Sequence, residues 1–234
     1  ETARFFELNL SRHGFVNIDR FHAFLNQYVA DDETSMEDLE RQYGAVATEL
    51  ETGREVWFTE GSLLQAVWAS ISLPGLFPAI RHDHHWLVDG GLVNPVPVSL
   101  CRAMGAEAVI AVNLNGDIIG RHLHKLKIET TEKPRNGVVN RLTELVGEYT
   151  TFFNTDDKHE ERSPSMFDAI AGSINIIQDR ITRSRMAGDP PDILLTPRLA
   201  NIGLLEFYRG QEAIREGERA VETMLPNLHR LLEN

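Results

Sequence analysis

The stretch HWLVDGGLVNPVPVSLCRAMGAEAVIAVNL, residues 85–114, decides the fold class. It begins with a short apolar run, HWLVD, that is typical of a strand, and it ends with a continuous apolar run at 108–114 that indicates a strand buried on both faces. Between them, Asn94 is a candidate N-cap, Pro95 suits the first helical position, and Gly105 is placed to end the helix. Strand, helix and strand form a βαβ unit, so the sequence predicts a three-layer α/β/α fold with a mostly parallel central sheet.

The flanking segments add further strands and helices. Residues 45–50 and 56–60 lie on either side of the turn ETGRE and predict a β-hairpin, while residues 62–69 predict a buried helix. The segment DILLTP, residues 192–197, predicts a last short strand. A final helix is expected from about Glu206 onwards, with a break near Pro226.

Helices are also predicted at residues 19–29 and 138–153. A further amphipathic helix is indicated by a stripe of apolar side chains that recurs every three or four residues, namely Met166, Ile170, Ile174, Ile177 and Ile181. Such a stripe is more often used for core packing than for binding acyl chains. Because neither an internal repeat nor a linker interrupts the chain, we predict a single domain over residues 1–234.

Composition excludes several classes of protein. The 23 Lys and Arg residues against 35 Asp and Glu residues give a formal net charge of −12. This charge argues against nucleic acid as a partner, because phosphate binding needs a basic surface. The single cysteine, Cys101, excludes a disulfide within the chain. The longest uncharged run, residues 63–80, is interrupted by proline and glycine and does not predict a membrane helix.

The aspartate that ends the HWLVD run, Asp89, allows two interpretations. At the carboxyl end of a parallel strand it would lie where open α/β sheets bind their ligands. Gly90 and Gly91 would clear space beside it and permit a positive φ, and the dipole of the following helix would favour the ionised carboxylate, as suits a proton acceptor. The alternative is a strand-end aspartate that closes an Asx-turn, which is the commoner use of such a residue.

Three motifs, taken together, favour the first interpretation. They are AVATELETGREVWFTEG at 45–61, AVWASISLPGLFPAI at 66–80 and LVDGGLVNPVPV at 87–98. In this order and spacing they resemble the patatin-like phospholipase family, whose recurrent marks are A-T-[DE]-L-x-T-G, A-S-x-S-x-P-G-x-F-P and D-G-[GA]. The resemblance covers most of the chain and is weakest in residues 1–33 and 115–165.

The resemblance implies a lipid acyl hydrolase with a Ser–Asp dyad and neither a catalytic histidine, a metal nor an organic cofactor. It assigns Asp89 as the base and Gly90 and Gly91 as the rest of its motif. It also suggests a set of residues that line the substrate pocket: Ser70, Ser72, Pro74, Gly75 and Phe77. The expected partner is a lipid or a small ester, and the expected location is cytoplasmic with transient contact to a membrane.

Two parts of that machinery have no counterpart in the sequence. The chain contains neither a G-x-S-x-G elbow nor a glycine-rich oxyanion loop. In the family both precede the region that matches here, so we expect the chain to correspond to the C-terminal two-thirds of the domain. On this view it holds no nucleophile and is inactive alone, and Val109, Ile110 and Val112 are exposed at an unpaired edge. The competing hypothesis is a non-catalytic module that binds lipid or a partner protein.

A cluster of histidines in RHDHHW raises the alternative of a metal site. His82, His84 and His85 are adjacent or nearly so, and neighbouring residues of a strand point to opposite faces. The sequence therefore favours a solvated turn over a metal site. His122, His124 and His159 lie in polar segments and carry no stronger signal.

Overall fold

The computed structural model describes residues 18–117, 166–203 and 206–233. It contains six strands, β1 (Ala45–Glu49), β2 (Glu55–Phe58), β3 (Ile80–His82), β4 (His85–Asp89), β5 (Ile110–Val112) and β6 (Ile193–Leu195). Its five α-helices are α1 (Ile18–Tyr28), α2 (Leu63–Ser70), α3 (Val98–Ala103), α4 (Met166–Gly188) and α5 (Gly210–Leu232). The predicted helix at 138–153 and the histidines at 122, 124 and 159 lie outside the described residues.

The larger sheet has the strand order β2-β1-β4-β3, and all of its pairs are antiparallel. Strands β1 and β2 form the predicted hairpin. Strands β3 and β4 are joined by Asp83 and His84, which both have positive φ values, 44° and 73°. Connections this short can join only antiparallel neighbours.

The α/β class is confirmed, but the prediction of a mostly parallel sheet is wrong for the described strands. Parallel pairing is found between β5 and β6, which form a separate two-stranded sheet. Helix α3 connects β4 to β5, yet these two strands do not pair. The reason is that β1 and β3 occupy both hydrogen-bonding edges of β4, so neither edge is left for β5.

The core lies between the larger sheet and helix α2. All five residues of β1 are buried, and Ala66 and Ala69 of α2 are fully buried against it. Leu87 of β4 belongs to the same apolar cluster. A second cluster joins α1 to α2, where the rings of Phe21 and Trp68 meet edge to face at 5.5 Å. The first of these clusters packs α2 against β4, the strand that ends at Asp89.

Two helix boundaries differ from the sequence predictions. Helix α3 begins at Val98 with Pro97 as its N-cap, so Asn94 lies outside the helix start, and its amide donates instead to Glu55 and Ser99. Gly105 follows the helix with φ +91°, as its predicted role requires. Helix α5 continues through Pro226 without a break, since the helix accommodates one internal proline.

The buried face of α4 is also different from the predicted one. Ile170 and Ile177 of the apolar stripe are about half exposed, at 48% and 49%, whereas Asp179 and Thr182 are buried. The helix packs on the turn at Gly90–Leu92 through this polar face. The periodicity predicted the helix correctly, but it did not predict which side would be covered.

Strand β5 is buried on one face only. Val109 and Ala111 are buried in a cluster with Val98, while Ile110 and Val112 are each 48% exposed. The expectation of a strand buried on both faces is therefore wrong, as is the expectation that Val109 is exposed. Within the described ranges, β5 pairs only with β6. Across the same ranges, no helix is long and apolar enough to cross a bilayer.

Candidate functional site

The backbone of Asp89 is held by the other two motifs. The Asp89 N–H donates to the carbonyl of Ser72 at 3.0 Å, and the Asp89 carbonyl accepts from the Thr48 hydroxyl at 2.8 Å. In the sheet, Ala47 of β1 is the register partner of Asp89. Residues from all three motifs therefore meet at this one aspartate.

The Asp89 side chain closes a local turn. Its Oδ1 atom accepts from the Gly91 N–H at 2.5 Å and so caps the short 3₁₀ turn Gly90–Leu92. This is the Asx-turn of the alternative interpretation, and it engages only one carboxylate oxygen. Among the described residues, no donor is hydrogen-bonded to Oδ2. The turn therefore fixes the carboxylate while leaving one oxygen available to accept a proton.

Burial raises the pKa of Asp89 above its ordinary value of 3.8, and the Gly91 N–H opposes this with a smaller lowering effect. A carboxylate with a raised pKa is a stronger base once it is ionised. The dipole of α3 contributes less than the sequence suggested, because that helix begins nine residues after Asp89.

The two glycines of the motif provide space. A Cβ on Gly90 would lie 2.1 Å from the Val46 carbonyl oxygen, and a Cβ on Gly91 would lie 2.4 Å from Nε2 of Gln178. Neither glycine has a positive φ. The predicted close approach is therefore confirmed, and the positive φ that glycine permits is not used at either position.

Gln178 is a site residue that sequence reasoning missed. Its Oε1 accepts from the Asn115 amide at 2.8 Å, and its Nε2 lies beside Gly91. No motif includes Gln178 or Asn115, and the contact spans 63 residues of sequence. The only available signal was the run of polar residues on one face of α4.

The predicted pocket residues have different surroundings. Ser72 is fully buried, and its hydroxyl donates to the Trp68 carbonyl at 2.7 Å, so only its backbone carbonyl reaches Asp89. Phe77 stacks on Phe21 at 4.7 Å. Pro74 and Gly75 are exposed, and Ser70 is the last residue of α2. The structure brings Ser72 to Asp89, and the assignment of the set to a substrate pocket stays a prediction.

Asn94, which follows the glycines, belongs to a polar network with β2 and α4. The Asn94 amide donates to Glu55 Oε1 at 2.6 Å, and Glu55 Oε2 pairs with Arg185. Burial by itself would raise the pKa of Glu55, but the hydrogen bonds from Trp57 and Asn94 and the charge of Arg185 hold this pKa below its ordinary value. Glu55 therefore ties α4 to the larger sheet as an anion.

The three histidines of RHDHHW do not converge. His82 packs edge-on against Phe58, His84 lies in the exposed hairpin turn, and His85 Nδ1 is 3.0 Å from Glu49 Oε1. The predicted solvated turn is confirmed. A group that could hold a metal ion consists of Glu49, Glu51 and His85, whose ligand atoms lie within 4.8 Å of one another. It lies at the opposite end of β4 from Asp89.

A cavity of about 470 Å³ lies away from this site. Met36, Tyr43 and Met104 are among the residues that line it, and neither Asp89 nor Gln178 does. Burial raises the pKa of the Tyr43 hydroxyl. This cavity therefore does not coincide with the convergence of the three motifs.

Comparison with known proteins supports the grouping of these motifs. The model of the family described as "Patatin-like phospholipase" matches residues 4–102, a range that includes Thr48, Ser72 and Asp89. An "Uncharacterized NTE family protein" of Mycobacterium bovis is 26% identical over 238 residues, covering 81% of this chain and 64% of the relative.

Two other relatives also match this chain. A second "Uncharacterized NTE family protein", from Mycobacterium tuberculosis, is 29% identical over 192 residues, covering 82% of this chain and 30% of the relative. "Patatin-like phospholipase domain-containing protein 7" of Mus musculus is 38% identical over 84 residues, covering 35% of this chain and 6% of that protein. The chain thus spans less than two thirds of the length of these relatives.

Proposed function

Because residues 4–102 belong to the patatin-like phospholipase family, we propose that this chain is part of a serine hydrolase that cleaves carboxylic esters of lipids. The observation that carries the proposal is the convergence of the three motifs on Asp89. The Ser72 carbonyl and the Thr48 hydroxyl hold its backbone, and one carboxylate oxygen is free of hydrogen bonds from the described residues.

In the proposed mechanism Asp89 is the base of a Ser–Asp dyad. The serine hydroxyl gives its proton to Asp89 Oδ2 as its oxygen attacks the ester carbonyl. When the tetrahedral intermediate collapses, Asp89 returns that proton to the leaving alcohol and an acyl-serine remains. Asp89 then takes a proton from the water that hydrolyses the acyl-serine, and it gives this proton back to the serine. The raised pKa of Asp89 suits a group that accepts a proton in each half-reaction.

We place the serine and the oxyanion donors on a segment of the protein outside these 234 residues, because the sequence has neither G-x-S-x-G nor a glycine-rich loop. We also propose that the segment from Ser70 to Phe77 lines the acyl pocket. Its support is that the Ser72 carbonyl is bonded to the Asp89 N–H, which puts this turn next to the base. No step of the scheme uses a metal ion or an organic cofactor.

A fluorophosphonate probe, which reacts with activated serines, tests the proposal. A longer protein that includes the proposed serine segment should be labelled once per molecule, and the 234-residue chain should not be labelled. Chelators should leave ester hydrolysis by the longer protein unchanged, since no step calls on a Lewis acid. Labelling of the isolated chain at one of its own serines would contradict the assignment of the nucleophile.

The missing elbow favours a second candidate function, a non-catalytic module that binds lipid or a partner protein. The two candidates differ in the sequence that adjoins residue 1. A G-x-S-x-G motif and a glycine-rich loop there would favour the hydrolase. Their absence, together with lack of probe labelling in the natural protein, would favour the binding module.

A further inference from the structure

The geometry points to Gln178 as a positioning residue that holds the Asp89 carboxylate in its ionised, proton-accepting form. This inference rests on the proposed function only where it treats Asp89 as the catalytic base. Its structural content, a polar contact across Gly91, can be tested without measuring activity.

Gln178 and Asp89 border the same small volume. A Cβ on Gly91 would lie 2.4 Å from Gln178 Nε2 and 2.8 Å from Asp89 Oδ1. The absent side chain of Gly91 therefore lets the amide approach the carboxylate. Among the described residues the amide and the carboxylate are not hydrogen-bonded to each other, so the amide acts on the carboxylate through one bridging water.

The amide presents its donor end to the site. Asn115 donates to Gln178 Oε1 at 2.8 Å, so the amide oxygen is occupied and the Nε2 group faces Gly91. Asn115 is itself fixed, because its N–H donates to Asn113 Oδ1 at 3.1 Å. The buried Asn113 is in turn bonded through its N–H to the carbonyl of Leu195, the last residue of β6. The orientation of Gln178 is therefore set by the second sheet.

The helix that carries Gln178 is anchored on the same side. Two turns later, Arg185 pairs with Glu55 of β2, and Met186 packs against the cluster of Val98 and Val109. Because this N–H donor is already held in place, little further side-chain entropy is lost when the carboxylate ionises. Such a donor favours the charged form of an acid.

The nearby charged groups are engaged elsewhere. Glu55 of β2 contacts Asn94 and Arg185, and Asp179 of α4, next to Gln178, pairs with Arg183. The pKa of Asp89 is raised by burial and lowered by the Gly91 N–H. A fixed amide donor beside Oδ1 opposes the same desolvation.

The test measures the pKa of Asp89 in the 234-residue chain by NMR of aspartate carboxyl carbons, with the signal assigned by its loss in Asp89→Asn. Gln178→Leu removes the donor at similar size and should raise this pKa by about one unit. Gln178→Glu puts a second carboxylate across Gly91 and should raise it further. Asn115→Ala frees the amide and should give a smaller rise. Gln65→Leu, the same substitution at an exposed position of α2, should leave it unchanged.

An unchanged Asp89 pKa in Gln178→Leu, or an equal shift in Gln65→Leu, would overturn the inference. If Gln178→Leu does not fold, Asn115→Ala decides in its place, and an unchanged pKa there overturns the inference as well. If Gln178 had only a structural role, its substitution would lower the melting temperature. The Asp89 pKa would then not rise in the order Asn115→Ala, Gln178→Leu, Gln178→Glu. These pKa measurements do not depend on catalytic activity. A failure of the proposed hydrolase function can therefore be distinguished from a failure of this inference.

Discussion

The region around Asp89 and the region built from β5, β6 and α5 use their apolar side chains in different ways. In the first, every residue of β1 is buried, and the motif residues contact one another. In the second, Ile110 and Val112 are each 48% exposed, and α5 has no buried residue although it is strongly amphipathic. The first region therefore has its packing partners within the described residues. In the second, one face of β5 and β6 is packed while Ile110 and Val112 stay half exposed, so patterning alone does not define a core.

Truncation of one branched aliphatic side chain in each region should show the largest difference in stability. Leu87 is 2% exposed in the main apolar cluster, so Leu87→Ala should lower the free energy of unfolding by about 2–5 kcal/mol. Ile110→Ala, at a side chain that is half exposed, should cost less than about 1 kcal/mol. Urea denaturation of both variants measures this. Equal losses would mean that β5 is packed as tightly as β4.

Alanine substitutions at two glycines compare the crowded turn after Asp89 with an open position on α4. Gly90→Ala brings a methyl group 2.1 Å from the Val46 carbonyl oxygen and should destabilise the chain by about 1–3 kcal/mol. Gly172→Ala in α4 has open space and is the matched control, for which no loss is expected. Thermal denaturation of the two variants is the measurement. A tolerated Gly90→Ala would show that β1 does not pass as close to the motif as described.

The buried carboxylate predicts a pH dependence. Since burial raises the pKa of Asp89 in the folded chain, the stabilising effect of its neutral form is complete below the ordinary value of 3.8 and is lost as pH rises through the folded pKa. Asp89→Asn keeps the shape and cannot ionise. Its stability should therefore match the parent chain at pH 3 and exceed it at pH 7, as measured by urea denaturation at both values. A variant less stable at pH 7 would contradict the sign of the shift.

The smallest effect is expected in α5. Gly217 lies inside this helix with open space around the position of a Cβ, so Gly217→Ala should stabilise the chain by about 0.5–1 kcal/mol through helix propensity. The melting temperature should rise slightly. A decrease would mean that this face of α5 is covered more closely than the described contacts indicate.

The sequence predicted the motif-bearing region well because its signals are local. The hairpins, α2 and β4 follow from short runs and turns, and the resemblance gave Asp89 and its glycines as the candidate site, which stays a prediction. Pairing partners are a long-range property, so the antiparallel partners of β4 were not predictable from a strand–helix–strand order. Gln178 shows the same limit, since a single polar residue that contacts Gly91 from a distant helix leaves no periodic signal. The apolar stripe of α4 reported amphipathicity but not which face would be covered.

The central claim, that Asp89 is the base of a Ser–Asp hydrolase, is tested most directly by kcat/KM for a short-chain ester in the longer protein that includes the proposed serine. Asp89→Asn should lower kcat/KM by at least about 100-fold while the variant stays folded. Asp83→Asn, in the exposed hairpin turn, is the matched control and should leave it unchanged. A folded Asp89→Asn variant with kcat/KM within a few-fold of the parent would remove Asp89 from the mechanism.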